Sequence, residues 1–267
     1  SHIFSTRSFS GDTMEPAISV QNLSAGYGSR TILENISFDV PAGQIVTILG
    51  GSGCGKSTLM KHMIGLYAPI AGDVLIHGKS IVRSVGDQKR AIMRQFGVAY
   101  QGGALFRSLS LAENIALPME EHTKMSKAEI REKVREKLKL VNLDGYQDYM
   151  PSDLSGGMVK RAAFARSLAL DPDILFFDEP SAGLDPLSSA SLDKLILDIR
   201  EKTGATIIVV THELESIFSI ADRAVMLDAK TKGVIADGPP LELKTHSANS
   251  FVRLFLNRGH DPAAHQQ

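Results

Sequence analysis

Between residues 45 and 59 the chain reads IVTILGGSGCGKSTL: five apolar residues, a loop with glycine at 50, 51, 53 and 55, then Lys56, Ser57 and Leu59. No other stretch narrows the fold so far. The uninterrupted apolar run has strand length and needs cover on both faces, as in a parallel sheet flanked by helices. The glycines let the loop curl so that backbone N–H groups converge, and the following helix, with Leu59, Met60 and Met63 on one face, adds unpaired donors and the positive end of its dipole. Gly50, Gly55, Lys56 and Ser57 satisfy G-x-x-x-x-G-K-[ST] in the strand-to-helix setting the pattern requires. The segment Gly50, Gly51, Ser52, Gly53, Cys54, Gly55, Lys56, Ser57 and Thr58 is therefore expected to cradle the phosphates of ATP, and a side chain at Gly53 or Gly55 would obstruct them. Lys56 is expected to reach the β- and γ-phosphates, and the Ser57 hydroxyl to ligate Mg2+. Cys54 has no required part in the cradle, although its thiol is expected to be open to alkylation unless ATP covers it.

Two more apolar runs end in polar chemistry: ILFF at 174–177 before Asp178, and TIIVV at 206–210 before Thr211 and His212. Ligands of α/β sheets lie beyond the carboxyl ends of the strands, so the sheet gathers these clusters at one edge. Asp178 is placed for the Mg2+ shell, and Glu179 for orienting and deprotonating a water. The adjacent pair favours a nucleotide hydrolase over a simple kinase or GTPase, which needs only the first acid.

The flanks differ in pattern. ISVQNLSAGY and ISFDV alternate apolar and polar residues around turn signals, which predicts an antiparallel β element near the N-terminus, continued at GDVLIHG. From about residue 100 to 170 the pattern is helical, with Ile130, Val134, Leu138 and Val141 on one face and the Lys, Arg and Glu between them on a solvated one. Thirty acidic against twenty-nine basic residues leave a net charge of −1, no field for nucleic acid or anionic lipid. The single cysteine excludes an internal disulfide and fits a reducing compartment, and no apolar stretch is long enough to span a bilayer. Met14 is read as the natural start, residues 1–13 as an appended or disordered segment, and the final GHDPAAHQQ as disordered.

Several motifs together carry a resemblance. The phosphate loop, Gln101 in AYQGG, LSGGM at 154–158, ILFFDEP at 174–180, SAGLD at 181–185 and VVTHE at 209–213 come in an order and spacing similar to the nucleotide-binding subunits of ATP-binding cassette transporters, over roughly residues 17 to 243. The resemblance implies an α/β P-loop NTPase with a mainly parallel core sheet flanked by helices, an N-terminal antiparallel β subdomain and an inserted α-helical subdomain at about 100–170. It places the ATPase domain at 14–244 and a C-terminal extension at 245–267. It also implies that Tyr27 stacks on adenine, that Gln101 joins Ser57 and Asp178 around Mg2+, and that His212 contacts the γ-phosphate. LSGGM before VKRAAFARSLAL reads as a Ser-capped, glycine-rich helix start, a second anion reader. In the family that reader serves the other subunit of a head-to-tail homodimer: Ser155, Gly156 and Gly157 touch the γ-phosphate in trans, and Asp185 couples the two sites. Met158 departs from the commoner Gln, at a cost of at most about 1 kcal/mol of polar contact.

GGALF after Gln101, HTK at 122–124 and SGGM resemble more narrowly the ATPases of Mce-associated, Mla-type phospholipid transport systems. That implies a peripheral bacterial protein on the cytoplasmic face of the inner membrane, docked on transmembrane permease subunits near residues 101–118, with an MCE lipid-binding protein and a small accessory subunit as further partners. Phe106 and Leu109 are candidates for the docking groove, or fill the helical core. Phe251, Leu254 and Phe255 have helical spacing and either pack back on the body or join the dimer. The alternatives are an importer ATPase for a polar solute and a nucleotide-gated regulatory protein, the latter disfavoured by Glu179 and His212. A cassette ATPase working on DNA or ribosomes would carry two cassettes or a long coiled coil, and neither is present.

Overall fold

The computed structural model describes residues 14–261, and the expectations for residues 1–13 and 262–267 lie outside that range. Strands β1 (Ile18–Tyr27) and β2 (Arg30–Val40) pair antiparallel, and β3 (Ile45–Leu49) leads into helix α1 (Lys56–Met63). β4 (Ala71–Ile76) and the short β5 (Lys79–Ser80) complete a first sheet of order β2-β1-β4-β5. Helix α2 (Gly86–Met93) and β6 (Phe96–Ala99) precede three helices, α3 (Leu111–His122), α4 (Lys127–Leu140) and α5 (Gly156–Ser167). The chain then alternates β7 (Ile174–Asp178), α6 (Pro186–Thr203), β8 (Thr206–Val210), α7 (Leu214–Ile220) and β9 (Arg223–Leu227). It closes with β10 (Val234–Gly238), α8 (Pro240–His246) and α9 (Ser250–Leu256). The second sheet has the order β10-β9-β3-β8-β7-β6 and is parallel except where β10 meets β9.

The continuous apolar strands are explained by what lies on each side. Ile174 and Phe176 of β7, with Ile208 and Val210 of β8, face a core shared with the first sheet and α1. Leu175 and Phe177, with Ile207 and Val209, face the helices α3 to α6. Successive side chains of a strand point to opposite faces, so a strand between two cores must be apolar at every position. Phe177 stacks on Phe164 of α5, ring centroids 4.0 Å apart, and Phe176 meets Phe96 edge-on at 5.5 Å. Each such buried ring contributes about 1.5–3 kcal/mol.

The helical segment starts later than expected, because Gly102, Gly103 and Ala104 all have positive φ and no helix can run through them. The start of α3 is set by Ser110, whose hydroxyl accepts from the Glu113 N–H while the Glu113 carboxylate accepts from the Ser110 N–H, a reciprocal cap. Along α4, Ile130, Val134 and Leu138 are buried, with Val141 just beyond its end. One charge on its supposedly solvated face is misread by the pattern: Lys137 is 4% exposed and pairs with Asp171, which Lys133 also reaches at 3.0 Å. Burial works against the Asp171 carboxylate, but bonds from the two lysines hold its pKa below the ordinary value.

Of the three residues picked by spacing at the C-terminus, only Phe255 packs back on the body. In α9 the buried residues are Val252 and Leu256, packed with Leu49, Ile217, Ala224 and Met226, whereas Phe251 and Leu254 are exposed. Phe255 is partly buried against the same cluster, and Arg258 pairs with Glu215 of α7 at 3.0 Å. Among the described residues, no helix is long and apolar enough to cross a membrane.

Candidate nucleotide site

A cleft of about 1320 Å3 opens at the carboxyl ends of β3, β7 and β8, where the phosphate loop from Gly50 to Thr58, Gln101, Glu179 and His212 come together. Gly55 caps α1 in a left-handed conformation, φ 98°, with no side-chain capping bond and no acidic residue in the first turn. The first N–H groups of α1 are thus left for an external anion. A Cβ at Gly55 would lie 2.7 Å from Leu33 Cδ2, whereas at Gly53 only the positive φ of 75° demands glycine. The Lys56 ammonium donates to the carbonyls of Gly50 and Gly51, at 2.9 and 3.1 Å, and so lies across the loop it is expected to serve.

Cys54 corrects one expectation. Its side chain is 2% exposed and packs in the core beneath the first sheet, and burial raises the thiol pKa against the nearby Lys56 charge. A buried, protonated thiol is a poor target for alkylation.

The two acids at the end of β7 are held differently. Asp178 is 7% exposed; burial, then the charge of Glu179, push its carboxyl above the ordinary range against Lys61, the Ser57 hydroxyl and Lys160. Glu179 has φ 44°, a left-handed backbone that a side-chain-bearing residue adopts only under constraint, and its N–H donates to the Val210 carbonyl at 2.8 Å. Its Oε1 meets His212 Nδ1 at 3.0 Å, while Nε2 of the same imidazole lies 3.6 Å from Glu213 Oε1. Asp178 Oδ1 and Glu179 Oε2 are buried with no hydrogen-bond partner among the described residues. Two orphaned acceptors beside Ser57 and a phosphate cradle suit a hard cation and a water. Among the described residues no group of three or more His, Cys, Asp or Glu forms a metal cage.

Other expected residues lie away from this cleft. Tyr27 ends β1, half exposed, outside the cleft wall, with its hydroxyl 3.3 Å from that of Thr58. Ser155, Gly156 and Gly157 open α5 at the surface and line no part of the cleft; the Ser155 hydroxyl accepts from the Met158 N–H at 3.3 Å. Met158 packs against the helical core. Asp185 caps α6, accepting from the Ser188 N–H at 2.9 Å and its hydroxyl at 2.6 Å, bonds that hold its carboxyl below the ordinary range. Sequence reasoning missed Arg30, Lys232 and Phe255 in the cleft wall. Arg30 lies only three residues after Tyr27; Lys232 lies far along the chain, where no spacing signals it, and the helical spacing of Phe255 marks it for packing or the dimer and not for the cleft.

A second groove, of about 590 Å3, runs past Tyr100, Phe106, Leu117 and Pro118, with Phe106 52% exposed. Arg166 of α5 borders it and donates to the carbonyls of Gly103 and Ala104, at 3.0 Å each, tying the Gln101 loop to the helix that begins at LSGGM.

Comparison with known proteins gives a consistent picture. The family profile described as ABC transporter matches residues 33–182. The chain is 44% identical over 244 residues to a probable ribonucleotide transport ATP-binding protein, mkl, of Mycobacterium leprae, covering 91% of this chain and 70% of that protein. It is 38% identical over 240 residues to the intermembrane phospholipid transport system ATP-binding protein MlaF of Escherichia coli K12, covering 90% and 88%. Among solved structures it resembles cbiO1 of Clostridium perfringens, part of the ABC transporter complex cbiONQ, with TM-score 0.79 at 29% identity over 91% of this chain and 96% of that one. The post-hydrolysis dimer of the ATP-binding cassette MJ0796 with ADP and Pi gives TM-score 0.75 at 29% identity, over 83% and 98%.

Proposed function

The chain belongs to the ABC transporter family and is an ATPase subunit of that kind, and from this premise we propose that it powers the movement of phospholipid between membranes as an ATP-closed homodimer. One observation carries the catalytic part: Glu179, forced into a left-handed backbone at the cleft floor, has one oxygen engaged by His212 and the other buried and unpartnered. In this reading the free oxygen takes the proton of the attacking water, and His212 fixes the direction of the carboxylate. Lys56 exchanges the carbonyls of Gly50 and Gly51 for phosphate oxygens, joining the N–H groups of the loop and of α1. Ser57, Asp178 and Gln101 would hold Mg2+, which when bound neutralises charge on the β- and γ-phosphates. Tyr27 receives the adenine ring.

The trans role of Ser155, Gly156 and Gly157, and the coupling role of Asp185, follow in this reading from their position. They stand at exposed helix starts outside the chain's own cleft, so a second copy related by two-fold symmetry is what brings them to a nucleotide. ATP then acts as a ligand that favours the closed pair, and hydrolysis releases it. The groove beside Phe106 is the proposed seat of the permease, on the cytoplasmic face of the inner membrane, with an MCE protein and an accessory subunit beyond it. We take residues 14–244 as the ATPase domain and residues from 245 onward as an extension of it.

Phospholipid as the cargo is supported by the MlaF relatives, which align over 85 to 90% of this chain. The mkl relatives support the rival reading, a small polar solute. The chain, co-purified with its membrane subunits and reconstituted in nanodiscs, is expected to raise its ATPase rate on addition of phospholipid-loaded acceptor and not on addition of ribonucleotides. Stimulation by ribonucleotides alone would overturn the phospholipid assignment.

A further inference from the structure

The base end of the nucleotide site rests on Tyr27 alone, and a cluster beside it has no assigned role. The loop after α1 carries Tyr67, half exposed, whose ring meets that of Tyr27 edge to face, with centroids 6.1 Å apart and planes at 86°. Such a T-shaped pair leaves at least one face of Tyr27 uncovered by its neighbour. Tyr67 is in turn tied to the phosphate helix. Its N–H and that of Leu66 donate to the Lys61 carbonyl, at 3.4 and 2.9 Å, the Lys61 ammonium lies 5.9 Å from its ring centre, and the buried His62 ring stands 6.0 Å away. His62 Nδ1 is 2.7 Å from the carbonyl of Thr58, the residue whose hydroxyl meets Tyr27.

These contacts close a ring: Thr58, His62 and Lys61 on α1, then Tyr67, then Tyr27, then back to Thr58. We propose that Tyr67 is a positioning residue for the base of the nucleotide, a bracket that fixes the plane of Tyr27 relative to the helix that reads the phosphates. The inference rests on the reading that Tyr27 receives adenine. Without Tyr67, the Tyr27 ring would keep one weak tether, the 3.3 Å contact with Thr58, and would rotate about its side-chain bonds. Each nucleotide would then pay for ordering the platform on arrival. The phosphate reader does not depend on the bracket, since its donors belong to the loop and the first turn of α1.

The test compares two probes, Mg·ATP and Mg·tripolyphosphate, by equilibrium titration of the full chain and of its Tyr27→Ala, Tyr67→Ala and Tyr67→Phe variants. Tyr27→Ala is expected to weaken ATP about 10-fold or more, the worth of a stacked base, and to leave tripolyphosphate within 2-fold. Tyr67→Ala is expected to weaken ATP about 3- to 10-fold, the range of an aromatic pair, again without effect on tripolyphosphate, and Tyr67→Phe to restore the wild-type value. If Tyr27→Ala behaves as stated while Tyr67→Ala binds ATP like the wild type, the bracket is refuted and the platform stands. If Tyr27→Ala leaves ATP binding unchanged, the platform reading fails first and takes the bracket with it. Equal losses for both probes in Tyr67→Ala would mean damage to the phosphate helix, and would also overturn the proposal.

Discussion

The chain begins two helices with glycine-rich sequence, α1 after GGSGCG and α5 after LS, and the two starts are built in opposite ways. At α1 the loop is walled in: Gly55 is left-handed and pressed on Leu33, a lysine lies across the carbonyls, and two buried carboxylates stand nearby. At α5 the start is bare: Ser155 and Gly156 are exposed, a Cβ at Gly157 would meet nothing within 4 Å, and no acid stands in the first turn. The first gathers donors, a lysine and two carboxylates; the second has donors and free space only. In the proposed homodimer, that difference would assign the α5 start to a nucleotide held by the other copy.

The largest test of that contrast acts on the chemistry of the first region. Glu179→Gln is expected to lower ATP turnover by about 100-fold or more while leaving ATP bound and the dimer closed, measured as phosphate release and as mass by light scattering. Unchanged turnover would remove Glu179 from its role. Next, Lys56→Ala is expected to weaken ATP binding about 10- to 100-fold in the isolated chain, since hydrogen bonds to a charged partner are worth about 1.5–3 kcal/mol, whereas Ser155→Ala leaves that binding unchanged. A loss of monomer affinity in Ser155→Ala would break the comparison.

A pair of glycine changes sharpens it further. Gly55→Ala is expected to destabilise the fold by about 1–3 kcal/mol, through a positive φ and the clash with Leu33. Gly157→Ala, helical and unobstructed, is expected to stabilise α5 by about 0.5–1 kcal/mol and yet to depress turnover, because in the proposed dimer the new methyl would enter the space of the partner's nucleotide. Urea unfolding and ATPase assays on the two variants read the opposite signs directly.

The smallest effect concerns a third buried carboxylate, Asp193 of α6, which accepts from the Ser216 hydroxyl of α7 at 2.8 Å. Burial raises its pKa above 3.8, against the Ser216 bond and with help from the charge of Glu213. The native state then holds a proton that the unfolded chain has released, so this group costs stability as pH rises from the ordinary carboxyl range through the raised value. The stability of Asp193→Asn relative to wild type is expected to improve from pH 4 to pH 7.5 in urea titrations, and a flat difference would refute the sign.

Much of the molecule was legible in its sequence because strong local signals coincide with global needs. The runs at 45–49, 174–177 and 206–210 are apolar but for Thr47 and Thr206 since each strand lies between two cores, and the polar residues after them fall at one edge for the same topological reason. What escaped reading depends on contacts between distant segments. Lys137 looks solvated until Asp171, 34 residues on, is packed against it. The spacing of Phe251, Leu254 and Phe255 gives a plausible stripe, but α9 has two apolar faces, and only the position of β9 and α7 decides that Val252 and Leu256 go inside. The left-handed backbone of Glu179, whose N–H donates to the Val210 carbonyl, is announced by no spacing within IIVV or FFDE.

Phe176 and Phe177 are chain neighbours that belong to separate packed bodies, and the two residues after them are the acids of the site. A loosened side chain in either body therefore reaches the same pair of carboxylates along one or two peptide units. Turnover in such a protein can be retuned by substitutions that never approach the nucleotide, and the two bodies offer independent handles for doing so.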